Sequence, residues 1–124
     1  MPSRAKPIHR SVMLQELKAA FPELREAVNQ CDGLLHFEIG EFRRLTQSFI
    51  DTKNKKELVR SYHLAARFLI FGDRKVSNAI ALSYLEDLNF RDGRVSRAWA
   101  HDLLPTTLAE EHRALEVSLG VRLT

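Results

Sequence analysis

The acidic and histidine side chains that lie close together are the first candidates for chemistry. His36, Glu38 and Glu41 fall within the stretch LLHFEIGEFRRL. On a helix, Glu38 and Glu41 are three apart and share a face, whereas His36 and Glu41, five apart, do not. Joined by His63 and Glu86 through folding, they would form a carboxylate–histidine metal site and hence a metal-dependent helical enzyme. A di-metal bundle needs paired Glu-x-x-His motifs, and the sequence contains none. The preferred reading is solvated helix residues with one structural ion pair. The adjacent Glu86 and Asp87 end an apolar segment, RKVSNAIALSYLEDLNF, at a helix end where the dipole disfavours anions. They are read first as structural, in a salt bridge with an arginine or His63 or capping a neighbouring helix start, then as partner-binding, and last as catalytic.

Nucleophilic chemistry has less support. The histidines at 9, 36, 63, 101 and 112 are scattered, and none shows HExxH spacing. Cys31 precedes an Asp32–Gly33 turn without a paired histidine and acid, so a small buried thiol is expected there. There is no Gly-rich phosphate loop and no G-x-S-x-G elbow. The expectation is a protein with no catalytic residues, no metal and no cofactor.

Positive charge is the remaining chemical signal. The formal net charge is +3, and the excess gathers in the middle of the chain at Lys53, Lys55, Lys56 and Arg60. That is a local cluster around a turn and a helix start, not the broad stripe of a nucleic-acid binder. With the basic N-terminal segment it supports a secondary reading, a small nucleic-acid-binding protein. Arg91, Arg94 and Arg97 surround a predicted loop at 89–93, near Trp99. Arg and Trp are favoured interface anchors.

These side chains need a scaffold, and the patterning supplies helices. At 124 residues, 44% hydrophobic and 28% charged, the chain has the size and composition of one globular domain. The spacing predicts an all-α fold, a compact bundle or short stack of about six helices arranged as hairpins. Residues 1–10 read as a flexible basic arm and 11–124 as one helical domain. Ser11 is the expected first cap, and Pro22 opens a second short helix or a kinked continuation. Leu34 to Asp51 forms the next helix, with Leu35, Phe37, Ile39, Phe42, Leu45, Phe49 and Ile50 apolar and Gly40 allowing a close neighbour. Asn54 and Glu57 suggest a capping box for a helix reaching Phe71. Gly72 suits a left-handed C-terminal position and Asp73 an N-cap. Residues 76–88 are apolar almost all round, the mark of a central helix. Arg94 to Leu104 is a shorter helix, and Thr107 caps the last one, which Gly120 ends. A single cysteine, no signal-peptide pattern and no long apolar run lead us to expect a cytoplasmic protein away from membranes.

Three stretches, LLHFEIGEFRRL, FLIFGDRKVSNAIALSYLEDL and RAWAHDLLP, together resemble a family of small all-helical bacterial proteins of unknown function. Some of its members are thought to act as immunity proteins beside toxin genes. The resemblance runs over about residues 34–104 and implies a binding role without catalytic residues. The leading expectation is therefore a non-enzymatic module that binds a cognate protein, such as a toxin, through Glu38, Glu41, Glu86, Asp87, Arg91 and Arg94. Its oligomeric state is open.

Overall fold

Pro22 and Gly33 punctuate the first third of the chain. In the computed structural model, which describes residues 6–92 and 95–120, helix α1 (Arg10–Ala20) opens on His9 without a side-chain cap, so Ser11 does not cap it. It buries Met13 and Leu17, one turn apart. Phe21 ends it at φ −133°, ψ 77°, because the residue before a proline is pushed out of the helical region. Pro22 then starts a 3-10 turn that leads into α2 (Arg25–Asn29). Asp32 and Gly33 are both left-handed, at φ 53° and 78°, and reverse the chain.

Helices α3 (Leu35–Asp51) and α4 (Lys55–Phe71) form the central hairpin. The buried stripe of α3 is Ile39, Phe42, Thr46, Phe49 and Ile50; Leu58, Tyr62, Ala65 and Phe68 face it from α4. The Asn54 side chain accepts from the Glu57 amide at 3.3 Å, the expected cap. Phe42 is the hub of the core, with its ring 4.7 Å from Tyr84, 6.0 Å from Phe21 and 6.5 Å from Phe68. Each such fully buried apolar side chain contributes about 1.5–3 kcal/mol.

Gly72 departs from expectation. Its φ is −67° and ψ 153°, extended rather than left-handed. The N-terminal segment explains this: the Ile8 amide donates to the Phe71 carbonyl, and the Asp73 amide donates to the Ile8 carbonyl. Ile8 is buried, so residues 8–10 are a packed strap and not part of a loose arm. Asp73 accepts from the Val76 amide at 2.8 Å and caps α5 (Arg74–Ile80), which passes into a π-helical turn, Ala81–Leu85. Val76, Ala79, Ile80, Tyr84, Leu85 and Leu88 are buried, so this is a core helix, but Leu82 is 46% exposed and the apolar surface is not continuous.

The expected helix from Arg94 is shorter. Arg91–Asp92 (β1) pairs antiparallel with Val95–Ser96 (β2), and α6 spans only Ala98–Asp102. The last helix, α7 (Thr106–Leu119), follows Pro105 without a side-chain cap, so Thr107 does not serve as one; Gly120 at φ 66° ends it. Among the described residues the regular elements are all helices apart from that two-residue ladder, with one isolated bridge between Ile8 and Gly72. No helix of the described residues is long and apolar enough to cross a membrane.

Candidate functional site

On α3 the buried stripe occupies one side, and at about 100° per residue Phe37 falls nearly opposite it. Phe37 is 64% exposed. Beside it lies a cleft of about 270 Å³, lined from α3 by His36, Gly40, Glu41, Arg43 and Arg44 and from the π turn and its end by Ser83 and Asp87. His36 Nδ1 lies 2.6 Å from Ser83 Oγ, which ties the two walls together. A π turn frequently marks a functional position, and Ser83 lies within this one. Gly40 leaves the floor open, since a Cβ there would meet nothing within 4 Å. The expected close neighbour at Gly40 is therefore absent.

Charge in the cleft is only partly neutralised. Glu41 pairs with Arg44 at 3.2 Å, on the surface. Among the described residues, Arg43 and Asp87 have no hydrogen-bond or ion-pair partner. Arg43 is half-buried and Asp87 exposed. The cleft thus combines an aromatic side chain in solvent, an unpaired cation and an unpaired anion.

The expected partner-binding residues are divided by the structure. Glu41 and Asp87 line the cleft. Glu38 does not: it is 1% exposed and is held by Arg10, whose Nε donates to Oε1 at 2.8 Å and whose Nη2 donates to Oε2 at 2.5 Å. Glu86 is half-buried with no described partner, so the arginine expected for it is missing among the described residues. Arg67 is committed to Glu16, and Arg97 reaches Asp51. Arg91 is exposed on β1, away from the cleft lining. Arg94 lies outside the described residues.

The metal reading does not assemble. Glu38 is engaged by Arg10, and Glu41 faces the cleft. His63 lines a separate hollow with Ala20, Phe21, Arg60, Leu64 and Arg67. No group of three metal-ligating side chains converges among the described residues. Cys31 donates to the Ala27 carbonyl at 3.3 Å. Burial, followed by the charges of Glu41, Glu38 and Asp32, pushes its thiol above the usual range, which disfavours the nucleophilic thiolate.

The members of the basic cluster differ in their surroundings. Lys53 sits at φ 56° in the turn. Lys55 lies over Trp99, 5.7 Å from the ring centroid. Arg60 pairs with Glu57 and donates to the Ala20 carbonyl. Lys56 is exposed with no described partner. Two of the four cations, Lys55 and Arg60, are thus engaged within the chain, and Lys53 and Lys56 are exposed.

Sequence reasoning missed Phe37, Gly40, Arg43 and Ser83. The signal for Phe37 was present, because its angle on α3 lies off the stripe of Ile39, Phe42 and Phe49. Nothing local announces Ser83, whose contact with His36 joins residues 47 apart in the chain. No curated protein and no solved structure was found to match the chain. A family model does match residues 14–117, a longer span than the 34–104 resemblance, and the chain belongs to that family, described as a domain of unknown function (DUF7674).

Proposed function

We propose that this protein is a non-enzymatic protein-binding module whose contact face is the outer side of α3 with its adjoining cleft. The observation that carries this reading is Phe37, an aromatic side chain 64% exposed on a well-packed helix. An exposed aromatic anchor beside arginine and carboxylate side chains has the composition of interface cores and rims. Leu34, three residues earlier and 53% exposed, extends the apolar part. The rigid hairpin behind it supports the reading further, since a preformed face costs little ordering on binding.

Within that reading, the finer proposal is an immunity protein that covers a cognate toxin, as the resemblance over residues 34–104 implies. Co-expression with the toxin-like product of an adjacent gene tests it. Wild-type protein should form a complex and restore growth, and Phe37→Glu should lose both while keeping its helical circular dichroism. Absence of any complex or protection with the wild type would remove the immunity proposal. Protection that Phe37→Glu leaves intact would move the contact face elsewhere.

A further inference from the structure

We propose that the corner where α4 gives way to α5 docks on an anionic lipid bilayer. Ile70 and Phe71 are the inserted side chains, and the arginines and lysines on either side of them meet the headgroups. The proposal goes beyond the α3 contact face and does not depend on it. A contact in the plane of the bilayer surface needs no spanning segment, so it is compatible with helices too short or too polar to cross a membrane.

The outward side of α4 follows from its buried one. Leu58, Tyr62, Ala65 and Phe68 face the core, and at about 100° per residue Arg67, Ile70 and Phe71 fall on the other side. Ile70 is 51% and Phe71 54% exposed, in the last turn of a helix whose inner side is fully packed. The contacts Ile8–Phe71, Glu16–Arg67 and Ala20–Arg60 set the N-terminal strap and α1 antiparallel beside α4. Val12, one turn before Glu16 on the same face of α1, is also exposed. The corner itself is tied down, since the strap bonds on both sides of Gly72 and Asp73 caps α5. Apolar side chains held in water by a fixed backbone gain from burial without the cost of ordering the chain.

Charge identifies the occupant. Lys56, Arg60 and Arg67 lie four and then seven residues apart on the outward side of α4, Arg74 and Lys75 open α5, and all five are exposed. The neighbouring acids are already engaged: Glu57 by Arg60, Glu16 by Arg67, and Asp73 by the Val76 amide and His9. The side chains of Lys56, Arg74 and Lys75 have no hydrogen-bond or ion-pair partner among the described residues. Surplus positive charge thus flanks the apolar pair. A nucleic-acid backbone would take the cations and leave Ile70 and Phe71 in water. A protein interface would bury the apolar pair, but such interfaces are depleted of lysine. A bilayer answers both, because the acyl boundary receives apolar side chains and anionic headgroups attract Lys and Arg.

Co-sedimentation of the full chain with lipid vesicles at about 0.15 M salt tests this. Wild-type protein should sediment with vesicles of phosphatidylglycerol and phosphatidylcholine in equal parts and not with phosphatidylcholine alone. Phe71→Glu should weaken binding on the order of tenfold or more, because it removes an inserted side chain and adds a repelled charge. Ile70→Glu gives a second, independent reading of the apolar contact, and Phe71→Leu should bind within about threefold of the parent. The charge variant R74E/K75E should also lose on the order of tenfold or more. Circular dichroism confirms that each variant is folded. Wild-type protein that stays in solution with the anionic vesicles would overturn the proposal. So would binding that all the variants leave unchanged, which would place the contact on another face. Loss in R74E/K75E with none in Phe71→Glu or Ile70→Glu would overturn it too, since a purely electrostatic contact fits a nucleic acid or an acidic protein and not insertion.

Discussion

Glu38 shows how much a single side chain can conceal in a sequence. It lies in a charged helix start and reads as a solvated residue, yet its side chain is 2% exposed and its carboxylate is answered by Arg10, 28 residues away. The bidentate geometry favours a guanidinium, whose planar fork matches a carboxylate. Arg10→Met would strand that charge. For a fully buried pair, loss of one partner costs about 3–5 kcal/mol. The Arg10 side chain is 42% exposed, so water reaches the pair, and the expected loss is nearer about 1–3 kcal/mol. Urea denaturation measures it. R10M with E38L should recover most of the loss, since an apolar pair leaves no charge to solvate; a double variant as unstable as R10M alone would show that packing, not the charge, is at stake. The family match begins at residue 14, so this partner of Glu38 lies just outside the matched span.

At the scale of elements, local signals were legible and long-range ones were not. Asn54 and Asp73 both cap as expected, because a cap is decided by a side chain and an amide three residues on. The α3 and α4 helices are legible for the same reason, their apolar periodicity. The left-handed expectation for Gly72 failed because Ile8, from the far end of the chain, pairs with Phe71 and Asp73 on either side of it. The start of the helix expected from Arg94 lies partly outside the described residues, and Val95–Ser96 pairs with Arg91–Asp92 instead of joining α6. Gly72 remains necessary, for a different reason: a Cβ there would stand 2.3 Å from the Phe68 carbonyl oxygen and 2.7 Å from Val76 Cγ1. Gly72→Ala must therefore displace either the end of α4 or the start of α5. Overpacking of this kind costs about 1–3 kcal/mol, whereas Asn54→Ala, which loses only a cap, should cost about 1 kcal/mol. Thermal and urea unfolding of the two variants compares them, and a G72A protein as stable as the parent would show that the α4–α5 junction yields easily.

The whole molecule's response to acid should begin at the C-terminal third, where α7 closes against α4 and the π turn. His112 lies on the inner side of α7, fully buried, and neither ring nitrogen has a hydrogen-bond partner. Its ring meets Phe90 edge-on at 5.5 Å and His101 at 5.3 Å, which joins α7 to α6 and to the segment before β1. Burial disfavours the imidazolium and lowers the pKa; Glu116, 3.8 Å from Nδ1, opposes this, and His101 reinforces it. In the unfolded chain the same histidine titrates near its ordinary value of about 6.5. Below that pH the unfolded state binds a proton that the folded state resists, so stability falls as pH drops from about 6.5 towards the lowered folded value; above about 6.5 both states are neutral and His112 adds no slope. A second loss follows at lower pH. Arg67 holds the Glu16 carboxyl below its usual range, and the Val76 amide, then His9, does the same for Asp73. Their stabilising contributions are present above the ordinary carboxylate range and disappear as pH falls through the lowered values. Urea denaturation across a pH series should therefore show two steps in the parent. His112→Leu should abolish the upper one, leave the lower one, and keep or raise stability at neutral pH, because it removes two buried nitrogens that bond nothing. An unchanged slope between about pH 6.5 and 5 in that variant would mean that another group governs the first acid transition.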